Sequence, residues 1–127
     1  KIYSIACPLF VPIIEQGLEN HRIAHIIAEE YLQPLVHKKL DLLILGCTHY
    51  PIIQTTIQSI LPDKTIIIDS ATITASEVKK YLSNNNLHTA EIKQNIYVYV
   101  SDKPKQFKKN SAKFLGNHIL DVQKVDI

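Results

Sequence analysis

The residues best able to do chemistry cluster in Gly46-Cys47-Thr48-His49-Tyr50-Pro51. A cysteine that follows a buried strand and precedes a helix faces the positive end of the helix dipole, which favours thiolate over thiol. An ordinary thiol, with a pKa of about 8.5, is only a few per cent ionised at neutral pH, so such assistance matters. His49, two residues on, can lower the thiol further when protonated, or serve as its acid–base partner. Gly46 permits close backbone approach, and Thr48 offers a hydroxyl and an N–H to an anionic group. The same pattern also suits a small buried cysteine beside a turn histidine, and the residue types alone leave both readings open.

Other candidates are weaker. His21 and His25 stand four apart and could share a helix face toward a metal, but no third ligand is near, and a solvated face explains them better. Cys47 and His49 could be zinc ligands, yet Cys7 is the only other thiol and no Cys-x-x-Cys is present. Lys103, Lys105, Lys108, Lys109 and Lys113 make a basic helix that reads as a lysine-solvated surface. Asp69-Ser70 reads as a strand end leading into a helix cap. No phosphate loop or dinucleotide fingerprint occurs, and nothing points to pyridoxal or any other cofactor.

The elements that must position the cysteine loop alternate between strand and helix. Ile2–Cys7 reads as a buried strand. Pro12–Gly17 reads as a short helix opened by proline and closed by glycine. Asn20 can cap a longer helix that buries Ile23, Ile26, Ile27 and Tyr31, with Pro34 kinking or ending it. Leu42–Leu45 is a continuous apolar run, the pattern of a strand buried on both faces in a parallel sheet. A helix from about Pro51 to Leu61 follows, then a second doubly buried strand, Thr65–Ile68. Thr74-Ala-Ser-Glu77 fits a capping box for a helix running to Asn84–Asn86. Ile96–Val100 reads as a strand, Lys105–Leu115 as a helix stopped by Gly116, and Ile119–Val125 as a final strand. This rhythm predicts an α/β fold, a mostly parallel sheet flanked by helices. Ligands of such sheets bind beyond the carboxyl ends of the strands. Cys7 with Glu15, the Cys47–His49 loop, and Asp69-Ser70 all fall at such ends. The polar stretch Asn84–Gln94 is the best linker candidate.

Composition excludes several classes. The chain has 127 residues, 46% apolar types and 20% charged ones, which is the profile of a folded domain. Its net charge is only +2, and of 14 cations Arg22 is the sole arginine, unlike a nucleic-acid binder. No apolar run approaches the roughly 20 residues needed to span a bilayer, so no membrane role is expected. Two cysteines cannot make a disulfide scaffold, so a reducing compartment is expected. The chain opens on Lys1, holds no methionine and starts at once on strand-like residues, and so reads as a piece of a longer polypeptide.

Leu43-Ile-Leu-Gly-Cys-Thr-His-Tyr-Pro51 resembles the second cysteine motif of glutamate racemases, cofactor-independent members of the aspartate/glutamate racemase superfamily. Ala6-Cys-Pro-Leu-Phe-Val-Pro-Ile-Ile-Glu-Gln-Gly17 is similar to that family's upstream motif, at the expected distance. Ile67-Ile-Asp-Ser70 and the Tyr97–Gly116 stretch resemble its C-terminal region. The resemblance therefore spans essentially the whole chain. The family's aspartate-serine pair and its first catalytic cysteine have no counterpart, so the likeness is to the C-terminal half only.

The resemblance implies a two-thiol mechanism: one cysteine removes the α-proton of glutamate and another, on the opposite face, returns one. Cys47 is then a catalytic thiol, the one that deprotonates L-glutamate. His49 assists proton transfer or binds substrate, Thr48 binds substrate, and Glu15 supports the histidine side. Gln16 stands where the family often carries a second acid. Residues 1–75 would form an incomplete second racemase domain of a two-domain pseudo-symmetric fold. Residues 76–127 would be a C-terminal segment returning to the first domain. The expected partners are glutamate, the missing N-terminal half and further copies in a homo-oligomer. The expected setting is a bacterial cytoplasm, supplying D-glutamate for peptidoglycan, and the half alone is expected to be inactive. Two rival readings stay open: a superfamily racemase acting on aspartate or a hydantoin, and a non-catalytic half-domain serving in binding or assembly.

Overall fold

A computed structural model describes residues 1–89, 96–115 and 121–126 of the chain. They fall into two compact units, Lys1–Leu87 and His88–Ile127. The division lies inside the polar stretch expected to be a linker.

The first unit carries α1 (Phe10–Glu15), α2 (Arg22–Val36), β1 (Leu42–Leu45), a 3-10 turn (Tyr50–Ile53), α3 (Gln54–Ile60), β2 (Ile66–Asp69) and α4 (Ser70–Asn84). β1 and β2 pair in parallel with Leu42 opposite Ile66 and Leu45 opposite Asp69. A crossover containing α3 joins them, as parallel pairing requires. The core gathers Phe10 and Ile14 of α1, Ala28, Leu32 and Leu35 of α2, Leu45 of β1, and Ile53, Ile57 and Leu61 around α3. In the second unit β3 (Tyr97–Val100) pairs in parallel with β4 (Asp121–Lys124), with α5 (Pro104–Leu115) between them. The expected α/β class with parallel strands flanked by helices is therefore what the chain adopts. The expected stop at Gly116 and the start of the last strand at Ile119 lie outside the described residues.

Several local expectations are corrected. Residues 2–7 form no strand: Ile2 is exposed, and the segment lines a cleft of about 870 Å3 together with Leu40–Gly46. A strand exists only by pairing with a neighbour, and this segment makes no ladder with β1. α2 starts at Arg22 behind His21, whose Nδ1 accepts the Ile23 N–H at 3.2 Å, so His21 and not Asn20 is the cap. Its buried residues are Ala24, Ala28, Leu32 and Leu35, while Ile23 and Ile26 are exposed. Small alanines let α2 approach the neighbouring helices closely, so the core face is turned from the one marked by the largest side chains. Pro34 lies inside α2, which ends two residues later. α4 begins at Ser70, where Asp69 Oδ1 accepts the Thr72 N–H at 2.8 Å, so the cap is Asp69 and the Thr74 box lies within the helix. The Thr72 N–H holds the Asp69 carboxyl below the usual carboxylate range.

The strands are also less covered than their composition predicts. Leu43 and Leu45 turn inward, whereas Ile44 is 68% exposed and Ile66 61%. α4 buries none of its residues, and Ile73, Val78 and Tyr81 are exposed along it.

Candidate active site

Each candidate side chain is placed by a different piece of local chemistry. Glu15 is the last residue of α1, and the chain leaves that helix through a Schellman turn. Leu18 N–H donates to the Ile13 carbonyl and Gly17 N–H to the Ile14 carbonyl, both at 3.0 Å, with Gly17 at φ 77°. A side chain disfavours that left-handed conformation, which explains the glycine two residues after Glu15.

Cys47, Thr48 and His49 occupy the loop leaving the carboxyl end of β1. The loop tightens into the 3-10 turn, where Tyr50 N–H donates to the Cys47 carbonyl at 3.2 Å and Ile52 N–H to the His49 carbonyl at 3.1 Å. The seven-residue α3 starts only at Gln54. The dipole effect expected at Cys47 is therefore weaker than the sequence suggests, because such fields fade within a turn. The thiol's polar neighbour is His49. A Cβ added to Gly46 would meet nothing within 4 Å, so packing does not dictate glycine there, and the strand end is open to approach.

The structure brings three of the expected residues together. His49 Nδ1 lies 4.0 Å from Cys47 Sγ, and His49 Nε2 lies 3.7 Å from Glu15 Oε1. The imidazole thus sits between a thiol and a carboxylate, with one ring nitrogen toward each. His49 and Glu15 are partly open to solvent, with side chains 30% and 49% exposed. A carboxylate facing Nε2 favours the tautomer with its proton there, which makes Nδ1 the acceptor on the thiol side. Thr48 is exposed beside them in the same turn.

Cys7 is half-buried, its Sγ 3.9 Å from the Ile5 carbonyl, and burial pushes its thiol up. Tyr50 is a residue to which spacing alone assigns no role. Its hydroxyl donates to the Cys7 carbonyl at 3.2 Å, linking the loop to the start of α1. The signal for it is the aromatic residue directly after His49 in the motif.

The remaining candidates do not assemble into sites. His21 caps α2, and His25 pairs with Glu29 at 3.6 Å. Among the described residues no group of three or more His, Cys, Asp or Glu comes together that could hold a metal, and no helix is long and apolar enough to cross a membrane.

No family model matches the chain. It is similar to a glutamate racemase of Chlorobaculum parvum, 41% identical over 121 residues, covering 94% of this chain and 44% of that protein. It is 39% identical over 127 residues to glutamate racemase 2 of Caldanaerobacter subterraneus, covering all of this chain and 48% of that protein. Among solved structures, glutamate racemase from Thermus thermophilus in complex with β-chloro-D-alanine matches with a TM-score of 0.84 and 34% identity, over 97% of this chain and 47% of that one. The glutamate racemase from Francisella tularensis in complex with D-glutamate matches with a TM-score of 0.85 and 33% identity, over 99% of this chain and 47% of that one. The chain spans about half the length of the relatives it matches. By sequence and by fold it belongs to the glutamate racemase family, as the C-terminal half of such a protein.

Proposed function

We propose that the protein carrying this chain interconverts L- and D-glutamate without a cofactor, and that the chain supplies one of its two acid–base thiols, Cys47. The observation that carries this reading is the line from Cys47 through His49 to Glu15, at 4.0 and 3.7 Å. In the L-to-D direction the Cys47 thiolate takes the α-proton, and the C–H electron pair remains on a planar carbanion. A second thiol on the opposite face gives its proton to that carbon. Cys47 ends as a thiol and its counterpart as a thiolate, so return of the proton through solvent restores the starting state. His49 accepts the Cys47 proton and returns it, Glu15 orients the imidazole, and Thr48 offers its N–H and hydroxyl to the substrate carboxylate. The likeness to a racemase seen with D-glutamate supports this choice of substrate.

The second thiol belongs, on this reading, to the N-terminal half. The counterpart must end as a thiolate, and the burial that disfavours a charged Cys7 argues against that residue in the role. We assign residues 1–75 to one racemase domain and residues 76–127 to a segment that returns to the other; α4, which buries none of its residues, supports that assignment. The same reading sets the protein in a bacterial cytoplasm, in homo-oligomers, supplying D-glutamate for peptidoglycan.

The test is Cys47→Ser in the full-length protein, followed by circular dichroism of L-glutamate. A serine hydroxyl is too weakly acidic to exchange protons with carbon at neutral pH. We expect kcat/KM to fall at least about 100-fold, roughly 2.7 kcal/mol of barrier. A smaller loss would remove Cys47 from the mechanism.

A further inference from the structure

Glu15 and His49 lie 34 positions apart in the chain, on a short helix and on a loop, so their approach depends on whatever fixes α1 against that loop. Five contacts converge on this junction. Tyr50 donates its hydroxyl to the Cys7 carbonyl at 3.2 Å, and the same carbonyl accepts the Phe10 N–H that opens α1, also at 3.2 Å. The Phe10 ring, 1% exposed, meets the Tyr50 ring edge-on at 5.3 Å and the Tyr31 ring at 5.3 Å. Tyr31 in turn accepts the Leu9 N–H at 3.2 Å. Burial and the nearby Cys7 and Cys47 push the Tyr50 phenol further up.

Ring contacts tolerate sliding and rotation, whereas a hydrogen bond has a narrow geometry. The Tyr50–Cys7 bond is a directional link between the Cys47 loop and the residues that lead into α1. α1 is only six residues long, so a shift at its first turn reaches Glu15 undiminished.

We propose that Tyr50 is a positioning residue, whose hydroxyl, bonded to the Cys7 carbonyl, locks α1 to the Cys47 loop and so holds Glu15 beside His49. Its catalytic consequence rests on the racemase reading above, whereas the lock itself does not. Displacement of a supporting group by about 1 Å can cost up to 100-fold in rate, so loss of one such bond has a measurable effect.

The experiment is a double-mutant cycle in the full-length protein with Tyr50→Phe, Glu15→Gln and both together. One readout is the rate of Cys47 carbamidomethylation by iodoacetamide at several pH values, assigned by peptide mass mapping. The other is racemisation of glutamate. Tyr50→Phe should slow Cys47 alkylation about 3- to 10-fold near neutral pH. Glu15→Gln should do the same, and the double variant should be no slower than Glu15→Gln alone. Tyr31→Phe, which loses a hydroxyl that accepts the Leu9 N–H and does not reach the loop, should alkylate at close to the wild-type rate. An unchanged rate in Tyr50→Phe, multiplicative losses in the double variant, or a Tyr50→Phe protein that fails to fold by circular dichroism would each overturn the proposal. A wild-type protein that does not racemise glutamate would sink the racemase reading and leave the alkylation cycle to decide the lock.

Discussion

The crossover from β1 to β2 and the crossover from β3 to β4 start from the same plan, a four-residue strand, a helical connection and a parallel four-residue partner. They differ in the loop that leaves the first strand. After β1 comes Gly46-Cys-Thr-His-Tyr, braced from behind by Leu45, Ile53 and Ile57 and joined by Tyr50 to α1. After β3 comes Ser101-Asp-Lys-Pro, where Asp102 accepts the Lys103 N–H at 2.8 Å and lies 3.9 Å from the Lys103 ammonium. Those two side chains are more than 70% exposed. A strand end offers a place for chemistry but does not create it. The first loop differs because another element, α1, brings a carboxylate to its imidazole and a buried aromatic against its tyrosine.

The sharpest way to break this contrast is to remove the brace. Phe10→Ala should destabilise the first unit by about 3–5 kcal/mol, the range for a fully buried aromatic. Phe107→Ala, at a position 42% exposed on α5, should cost under about 1 kcal/mol. Urea unfolding followed by far-ultraviolet circular dichroism checks both. Equal losses would mean that the two crossovers are equally well packed.

Next in size is the contrast between the two thiols. Burial raises the Cys7 pKa, so Cys7 stays an unreactive thiol to higher pH than an ordinary cysteine. At pH 7, Cys47 should react with iodoacetamide about tenfold faster than Cys7, since only thiolate attacks. The gap should close as pH rises through the raised Cys7 value, because its thiolate then forms. Faster labelling of Cys7 at neutral pH would place the activated site at the wrong cysteine.

The smallest effect belongs to the second loop. Asp102→Asn removes a solvent-exposed pair and should change stability by no more than about 0.5 kcal/mol, with racemisation unchanged. Loss of activity there would show that the β3 loop also takes part.

The candidate site in the first loop is legible in the sequence because it is local: a thiol, a hydroxyl and an imidazole in consecutive residues after an apolar run. Parallel pairing is legible too, from the unbroken Leu42–Leu45 and Ile66–Ile68 runs. Glu15 is different, since no spacing rule joins residue 15 to residue 49, and only resemblance to a family motif points to it. The face of α2 is easily mistaken because Ile23 and Ile26 weigh more on a hydrophobicity scale than Ala24 and Ala28, while close helix approach favours the small residues. Residues 2–7 have a strand's composition, but whether such a segment pairs is settled by its neighbour. Asp69 and Thr74 both read as caps, and the one at the strand end prevails because its carboxylate meets the first free N–H groups of α4.

The cleft between residues 1–7 and β1 carries a kinetic consequence. In a parallel pair, alternate amides of a strand point to opposite edges, and only β2 bonds to β1 among the described residues. The β1 amides directed at the cleft lack a ladder partner, while those directed at β2 have one. Deuterium uptake along Leu42–Leu45 should therefore alternate residue by residue, fast then slow, within a strand whose side chains alternate in the same rhythm between solvent and core.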